Sequence, residues 1–458
     1  MKISIYTVFL AVVLTLASCS QEGPSGSCLT ADGERIFFRS YLPGISQTRT
    51  PVISNDNLTE CQVTCLNPND TSLINSDSGK MKPYFSDMRF EKDYEGRFVA
   101  QQSDTSMWPA TRDRLHFFAY YPSAETMQTY IDSEKFKLVN RSKISDDETV
   151  IDYRLESFRV ARNIVDHVDF IAAYSDGTQQ DNGSTGIDLN FRHHLARIEL
   201  KAWSESIRYG IEIAGVRIGN AITEADFNFS TLSSVDGGEW LNTEGHQSVV
   251  EHIFGEGENI VTLNRNPESQ TDKDHAASIM GKARHAMVIP MKERIEAWGG
   301  LEDPGLADTE QYSTDKLYFS VLLRVKNWAD EVVYPYPDDQ YEIPTVSLVV
   351  GKEGNVIRRV YKKGDGYYIE DEENDDLKYN PTETEEIIDF CWASLPVAAK
   401  WEAGKIYTYK LNYTNGIGWH DPSYPVPGHP IIDERVAVNV EVSDWKEGTN
   451  TDVKVPRK

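Results

Sequence analysis

The side chains that most invite a chemical reading are His193 and His194, the quartet Asp166, His167, Val168 and Asp169, and the pair Cys61 and Cys65. Adjacent histidines in an apolar strand point to opposite faces, so His193 and His194 cannot grip one metal ion together, and each is expected as a hydrogen-bonded core or interface histidine. The quartet around His167 reads as a polar strand edge. Cys61 and Cys65 stand four residues apart, roughly 13 Å along a strand, which is beyond disulfide reach. A zinc site needs a second cysteine or histidine pair nearby, and the sequence offers none, so these thiols, Cys28 and Cys391 are expected free. The acidic run at 370–376 lacks the glycine-turned loop and spaced ligands of a calcium site and reads as a solvated loop. Trp392, Trp401, Trp419 and Tyr424 could serve as sugar platforms, but such aromatics more often fill a sandwich core. The spacings of a nucleophile elbow, a zinc-protease helix, a phosphate-binding loop and a C-x-x-C pair are absent. The expectation is a protein that is not an enzyme, with no cofactor and no metal.

One cysteine has chemistry of another kind. Lys2 precedes an apolar run that ends in Leu16, Ala17, Ser18 and Cys19. A charged start, an apolar stretch and small residues before a cleavage point mark an export signal, and the final four residues resemble a bacterial lipobox. Cys19 is then the lipid attachment site, 1–18 the signal peptide and 19–35 a tether. The chain of 458 residues holds 46 basic and 72 acidic side chains, a net charge of −26. That charge repels nucleic acid and anionic lipid head groups, which leaves the lipid as the only expected membrane contact.

The elements that must carry these residues are strands. Leu317, Phe319, Val321, Leu323 and Val325 alternate with a second set, as do Val436, Val438, Val440 and Val442. Tyr407, Tyr409, Leu411 and Tyr413 line a third, and 286–289 forms a short one stopped by Pro290. Residues 211–218 read as a strand with a bulge at Gly215, whose backbone tolerates unusual angles, and the phase change within 189–202 suggests another. Val160, Ile164 and Val168 support about two helical turns. The fold class is therefore all-β, and many short strands between turns favour sandwiches over a barrel. Length suggests two, at 36–180 and 188–458, the second with the long acidic loop; the polar stretch SDGTQQDNGSTG is the expected linker between them.

Three segments together carry a family resemblance. Ile36 to Arg39 leads into Gln47, Thr48, Arg49 and Thr50; Met107, Trp108 and Pro109 precede the aromatic stretch 115–122; and 168–173 is followed by 189–198. In order and spacing these resemble the fimbrillin family, the Mfa-like fimbrial lipoproteins of Bacteroidales, and Trp401 to Tyr409 and Val440 to Trp445 agree more loosely. The resemblance implies two tandem transthyretin-like β-sandwich domains and a fimbrial (pilus) subunit, structural or adhesive, lipid-anchored at the cell outer membrane or carried in a surface fimbrium. Its partners would be other fimbrial subunits, in a homo- or hetero-polymer, and a surface ligand that the sequence does not identify. It further implies that an arginine-specific protease removes the first strand and that a neighbour's strand fills the gap, since an opened sheet offers unpaired backbone and an apolar groove. Carried onto this chain, Arg49 is the first candidate for the cut and Arg39 the second, and Val436, Val438, Val440 and Val442 form the candidate donor strand. The acidic loop has no counterpart in that family pattern. The alternative is a surface lipoprotein that binds glycans through exposed aromatics.

Overall fold

The computed structural model describes residues 35–444 apart from 43–52, 55–56, 74–81, 102–105, 124, 128–136, 145–148, 230–237, 264–273, 299–315, 338–340, 370–376 and 433–435. The chain is all-β, as its alternating patterns require. One sheet has eight strands in the order Arg192–His193, Ile171–Gly177, Leu115–Tyr121, Glu60–Leu66, Phe85–Lys92, Arg97–Ala100, Phe37–Tyr41 and Ile187–Asn190. Every second residue faces one apolar interior, to which Ile36, Phe38, Val63, Phe90, Phe117, Ile171 and Leu189 contribute, so strands from both ends of the sheet share a core.

The second half packs two sheets face to face. Tyr318–Lys326, buried on both faces, lies between Gly210–Ile222 and Glu385–Pro396 in an eleven-stranded sheet. Opposite it are Ala196–Trp203, Lys405–Asn412 and Ala437–Asp444, side by side in a five-stranded sheet. Phe319 meets Tyr409 across the gap, edge to face, with ring centroids 4.7 Å apart. A four-stranded sheet joins the halves by pairing Thr149–Arg159 with Glu224–Asn228. Its Phe158, Phe227 and Trp240 close on Phe170, at 5.1, 4.9 and 5.8 Å.

Four expectations change. The polar stretch at 175–186 is not a linker between domains. It holds the end of Ile171–Gly177 and the one-turn helix Gln179–Asn182, capped by the Thr178 hydroxyl, and leads to the next strand of the same sheet. A composition that suits a linker suits a turn equally. The boundary drawn between 180 and 188 therefore does not coincide with sheet membership. The phase change within 189–202 is not a bulge in one strand, because the chain there leaves one sheet for another, in three strands, Ile187–Asn190, Arg192–His193 and Ala196–Trp203. The helical spacing of Val160, Ile164 and Val168 yields only the single 3-10 turn Ile164–Asp166. The bulge at Gly215 is present, as a register shift against Tyr318–Lys326, but its cause is space. A Cβ there would lie 2.7 Å from the His252 carbonyl oxygen. Gly215→Ala is expected to cost about 1–3 kcal/mol of stability, read as a lower urea midpoint with an unchanged slope.

Candidate strand-exchange site

The opening strand Phe37–Tyr41 occupies a slot in the interior of the eight-stranded sheet. Arg97–Ala100 pairs with it antiparallel, Phe37 opposite Val99 and Arg39 opposite Arg97. Ile187–Asn190 pairs with it parallel, Phe38 opposite Ile187 and Tyr41 opposite Asn190. Ile36, Phe38 and Leu42 point inward and are buried, while Arg39 and Tyr41 point out. Phe38 sits edge-on to Phe90 and Phe117, at 4.9 and 5.2 Å. Full burial stabilises each of these three apolar side chains by roughly 1.5–3 kcal/mol. The slot is closed at one end by the Ile36 N–H, which donates to the Ser106 carbonyl at 2.7 Å, and at the other by the Phe191 N–H, which donates to the Tyr41 carbonyl at 2.9 Å. Beside it Gly186 adopts φ +76, and a Cβ there would lie 2.5 Å from the Phe37 ring. Only glycine lets the helix-turn pass so close.

The closing strand Ala437–Asp444 has a weaker seat. Among the described residues it pairs with Lys405–Asn412 alone, Val438 opposite Leu411, Val440 opposite Tyr409 and Val442 opposite Tyr407. Val436 is buried just before it, but Val438, Val440 and Val442 are half-buried. Lys410 Nζ pairs with Glu441 at 2.6 Å, and Lys405 pairs with Asp444 at the far end. The outer edge of this strand thus presents alternating valines and has no neighbouring strand among the described residues.

A family model described as fimbrillin-like matches residues 48–321, more than half of the chain. The chain belongs to the fimbrillin-like family. Its fold is similar to that of a fimbrial protein from Bacteroides vulgatus, at 13% identity and a TM-score of 0.47, covering 90% of this chain and 100% of the other. It is also similar to candidate cell adhesion proteins from Bacteroides ovatus, at 10% identity and a TM-score of 0.37 over 91% and 99% of the two chains, and from Bacteroides uniformis, at 12% and 0.33 over 90% and 98%. No curated protein matches the chain.

In this fimbrillin-like chain the two candidate cut sites differ. Arg39 stands mid-strand with backbone paired on both edges, its guanidinium 2.8 Å from Asp188. A protease that binds its substrate extended finds those backbone groups already occupied. Arg49, Cys19 and the acidic run at 370–376 lie outside the described residues. The histidines are structural. His193 Nδ1 bonds the buried Asp169 at 3.0 Å, and Asp169 also accepts the Ile53 N–H at 2.9 Å. His194 packs on Phe170 and Phe227. The quartet at 166–169 is not a strand edge: His167 is pinned between the Ala161 carbonyl at 2.8 Å and the Met287 N–H at 2.9 Å. Trp392, Trp401 and Tyr424 are core residues, Cys61, Cys65 and Cys391 are buried and free, and burial raises all three thiols, Cys391 to about 12. The sequence reading missed Asp188 and the parallel strand that carries it, and it missed Trp328, 79% exposed on a hairpin turn. The turn residues Asn327 and Asp330 around Trp328 were the available signal.

Burial pushes His167 down to about 4 and His194 and His285 to about 3, so all three fold neutral. Their folded values lie below the unfolded value near 6.5, so their contribution is whole above that value and is lost as pH falls towards 4. The slope is on the order of 1 kcal/mol per pH unit for each. The urea midpoint should fall over that window, and less steeply in His194→Leu. Phe38→Ala should cost about 3–5 kcal/mol and expose the opening strand to proteolysis, whereas Arg39→Gln, which removes one exposed ion pair, should shift the midpoint by less than about 1 kcal/mol.

Proposed function

We propose that this fimbrillin-like protein is a fimbrial subunit that exchanges its opening strand for a neighbour's closing strand. The observation that carries the reading is the contrast between the two seats. Phe37–Tyr41 fills an interior slot with a neighbour on each side, and Ala437–Asp444 sits on an edge with one. Loss of the opening strand would leave two rows of unsatisfied backbone groups and an empty site for Phe38, each unsatisfied group costing about 1–3 kcal/mol. A strand of alternating valines moving from the edge into such a slot gains a second hydrogen-bonded neighbour and fuller burial of Val438, Val440 and Val442. The exchange runs downhill once the slot is open.

In this reading the chain is exported behind the signal at 1–18 and lipid-anchored through Cys19 at the outer membrane. It forms two transthyretin-like domains and is cut after Arg49, which frees the whole opening strand; a cut at Arg39 would divide that strand in mid-ladder. Assembly follows with other fimbrial subunits, and the role is structural or adhesive. Of the four aromatics named for the glycan-binding alternative, Trp392, Trp401 and Tyr424 are buried and Trp419 is half-buried.

An arginine-specific protease added to the purified precursor should yield a new N-terminus at Thr50 and a ladder of multimers. Arg49→Ala should give neither. Val440→Asp should be cut normally yet stay monomeric, because a carboxylate cannot enter an apolar slot. Multimers from Arg49→Ala, or from Val440→Asp at the wild-type yield, would contradict the reading.

A further inference from the structure

Residues 413–432, which follow Lys405–Asn412, fold back as a strap on the eleven-stranded sheet. Asp421 nails it down. This fully buried carboxylate accepts from the hydroxyls of Ser320 at 2.5 Å, Ser394 at 3.0 Å and Ser423 at 2.6 Å and from Arg217 Nη1 at 3.1 Å. The strap carries two histidines, His420 and His429, with ring centroids 5.2 Å apart. Tyr336 and Tyr341, from the loop after Val332–Tyr334, pack on them. The Tyr341 ring touches both imidazoles, at 5.1 and 4.8 Å. His420 is wholly buried, whereas His429, Tyr336 and Tyr341 are partly open to solvent.

The partners fix the tautomers. His420 Nδ1 lies 3.1 Å from the Val426 carbonyl and His429 Nδ1 2.8 Å from the Pro430 carbonyl. A carbonyl oxygen only accepts, so both Nδ1 atoms carry a proton and Nε2 is the ring nitrogen left to face a second partner. His420 Nε2 faces the Tyr336 hydroxyl at 3.3 Å and His429 Nε2 the Tyr341 hydroxyl at 3.2 Å. Both contacts are long beside the usual hydroxyl donor distance of about 2.8 Å. Tyr336 has a second acceptor in the Ile431 carbonyl, at 3.4 Å.

An imidazole whose Nδ1–H is tied to a backbone carbonyl and whose Nε2 is unprotonated is oriented as metal-ligating histidines are. Imidazole nitrogens suit first-row transition metals, and the anionic chain concentrates cations at its surface. We infer that His420 Nε2, His429 Nε2 and the Tyr341 hydroxyl bind one such ion, of the Cu2+ or Zn2+ class. Tyr341 enters as phenolate and its proton leaves to solvent, while Tyr336 turns to the Ile431 carbonyl. The bound ion ties Tyr341 to His420 and His429 of the strap. The assignment stands on this cluster alone and does not require strand exchange.

The test is titration of the purified full chain with Cu2+, followed by electron paramagnetic resonance and visible absorption. One ion per chain, a two-nitrogen splitting pattern and a phenolate-to-copper band are expected. His429→Ala should weaken binding by about tenfold or more, Tyr341→Phe should remove the band, and the exposed-site control His246→Ala should do neither. Tyr341→Phe deletes one oxygen and keeps the ring, so it decides the matter if His429→Ala fails to fold. Equal affinity in wild type and His429→Ala, a band that survives in Tyr341→Phe, or no saturable binding would overturn the assignment.

Discussion

Phe38 in its slot is the interaction on which the N-terminal half depends. Its ring completes an aromatic core with Phe90 and Phe117, and its backbone bridges Arg97–Ala100 to a strand that arrives far later in the chain, Ile187–Asn190. No local hairpin can make that parallel pairing, because parallel neighbours need a long crossover. Here the crossover holds five other strands of the same sheet and two of the four-stranded sheet. The opening strand lies second from one edge of its sheet, with a neighbour on each side, and among the described residues the closing strand lies on an edge with one neighbour.

The rest of the second half is tied together by a buried polar network. Arg217 stacks 4.1 Å from the Trp392 ring and pairs with Glu251 and Asp421, which anchors the strap beside the closing strand. Such a buried network is costly if half-satisfied and specific if complete. Asp421 accepts from five donors, the Ser423 N–H being the fifth, so it is complete. The four-stranded sheet then locks Thr149–Arg159 from the first half onto Glu224–Asn228 from the second, under the rings of Phe158, Phe227 and Trp240.

Much of this was legible in the residues. Alternation alone gives strands at 317–325, 407–413 and 436–442, within a few residues of Tyr318–Lys326, Lys405–Asn412 and Ala437–Asp444, because a period of two reports one buried face whatever the sheet order. The described parts of the three segments that resemble fimbrillins lie in or beside the eight-stranded sheet, and the family assignment agrees. What alternation cannot report is partnership. Leu189 and Phe191 read as core, but nothing local says that Ile187–Asn190 lies parallel to the opening strand while Ala196–Trp203 belongs to another sheet. Polar glycine-bearing stretches are equally ambiguous, and 175–186 proved to be a helix-turn. His420, His429, Tyr336 and Tyr341 are scattered over almost a hundred residues and gather only when the strap folds back.

The central claim is that the slot of the opening strand accepts another strand of alternating valines. The direct measurement is hydrogen exchange on protein cleaved after Arg49, with and without a synthetic peptide of residues 436–446. The account predicts that cleavage exposes the amides of Arg97–Ala100 and Ile187–Asn190, and that the peptide binds saturably and restores their protection. If those amides stay protected after cleavage, or if the peptide leaves them exchanging, the slot is not a site of strand exchange.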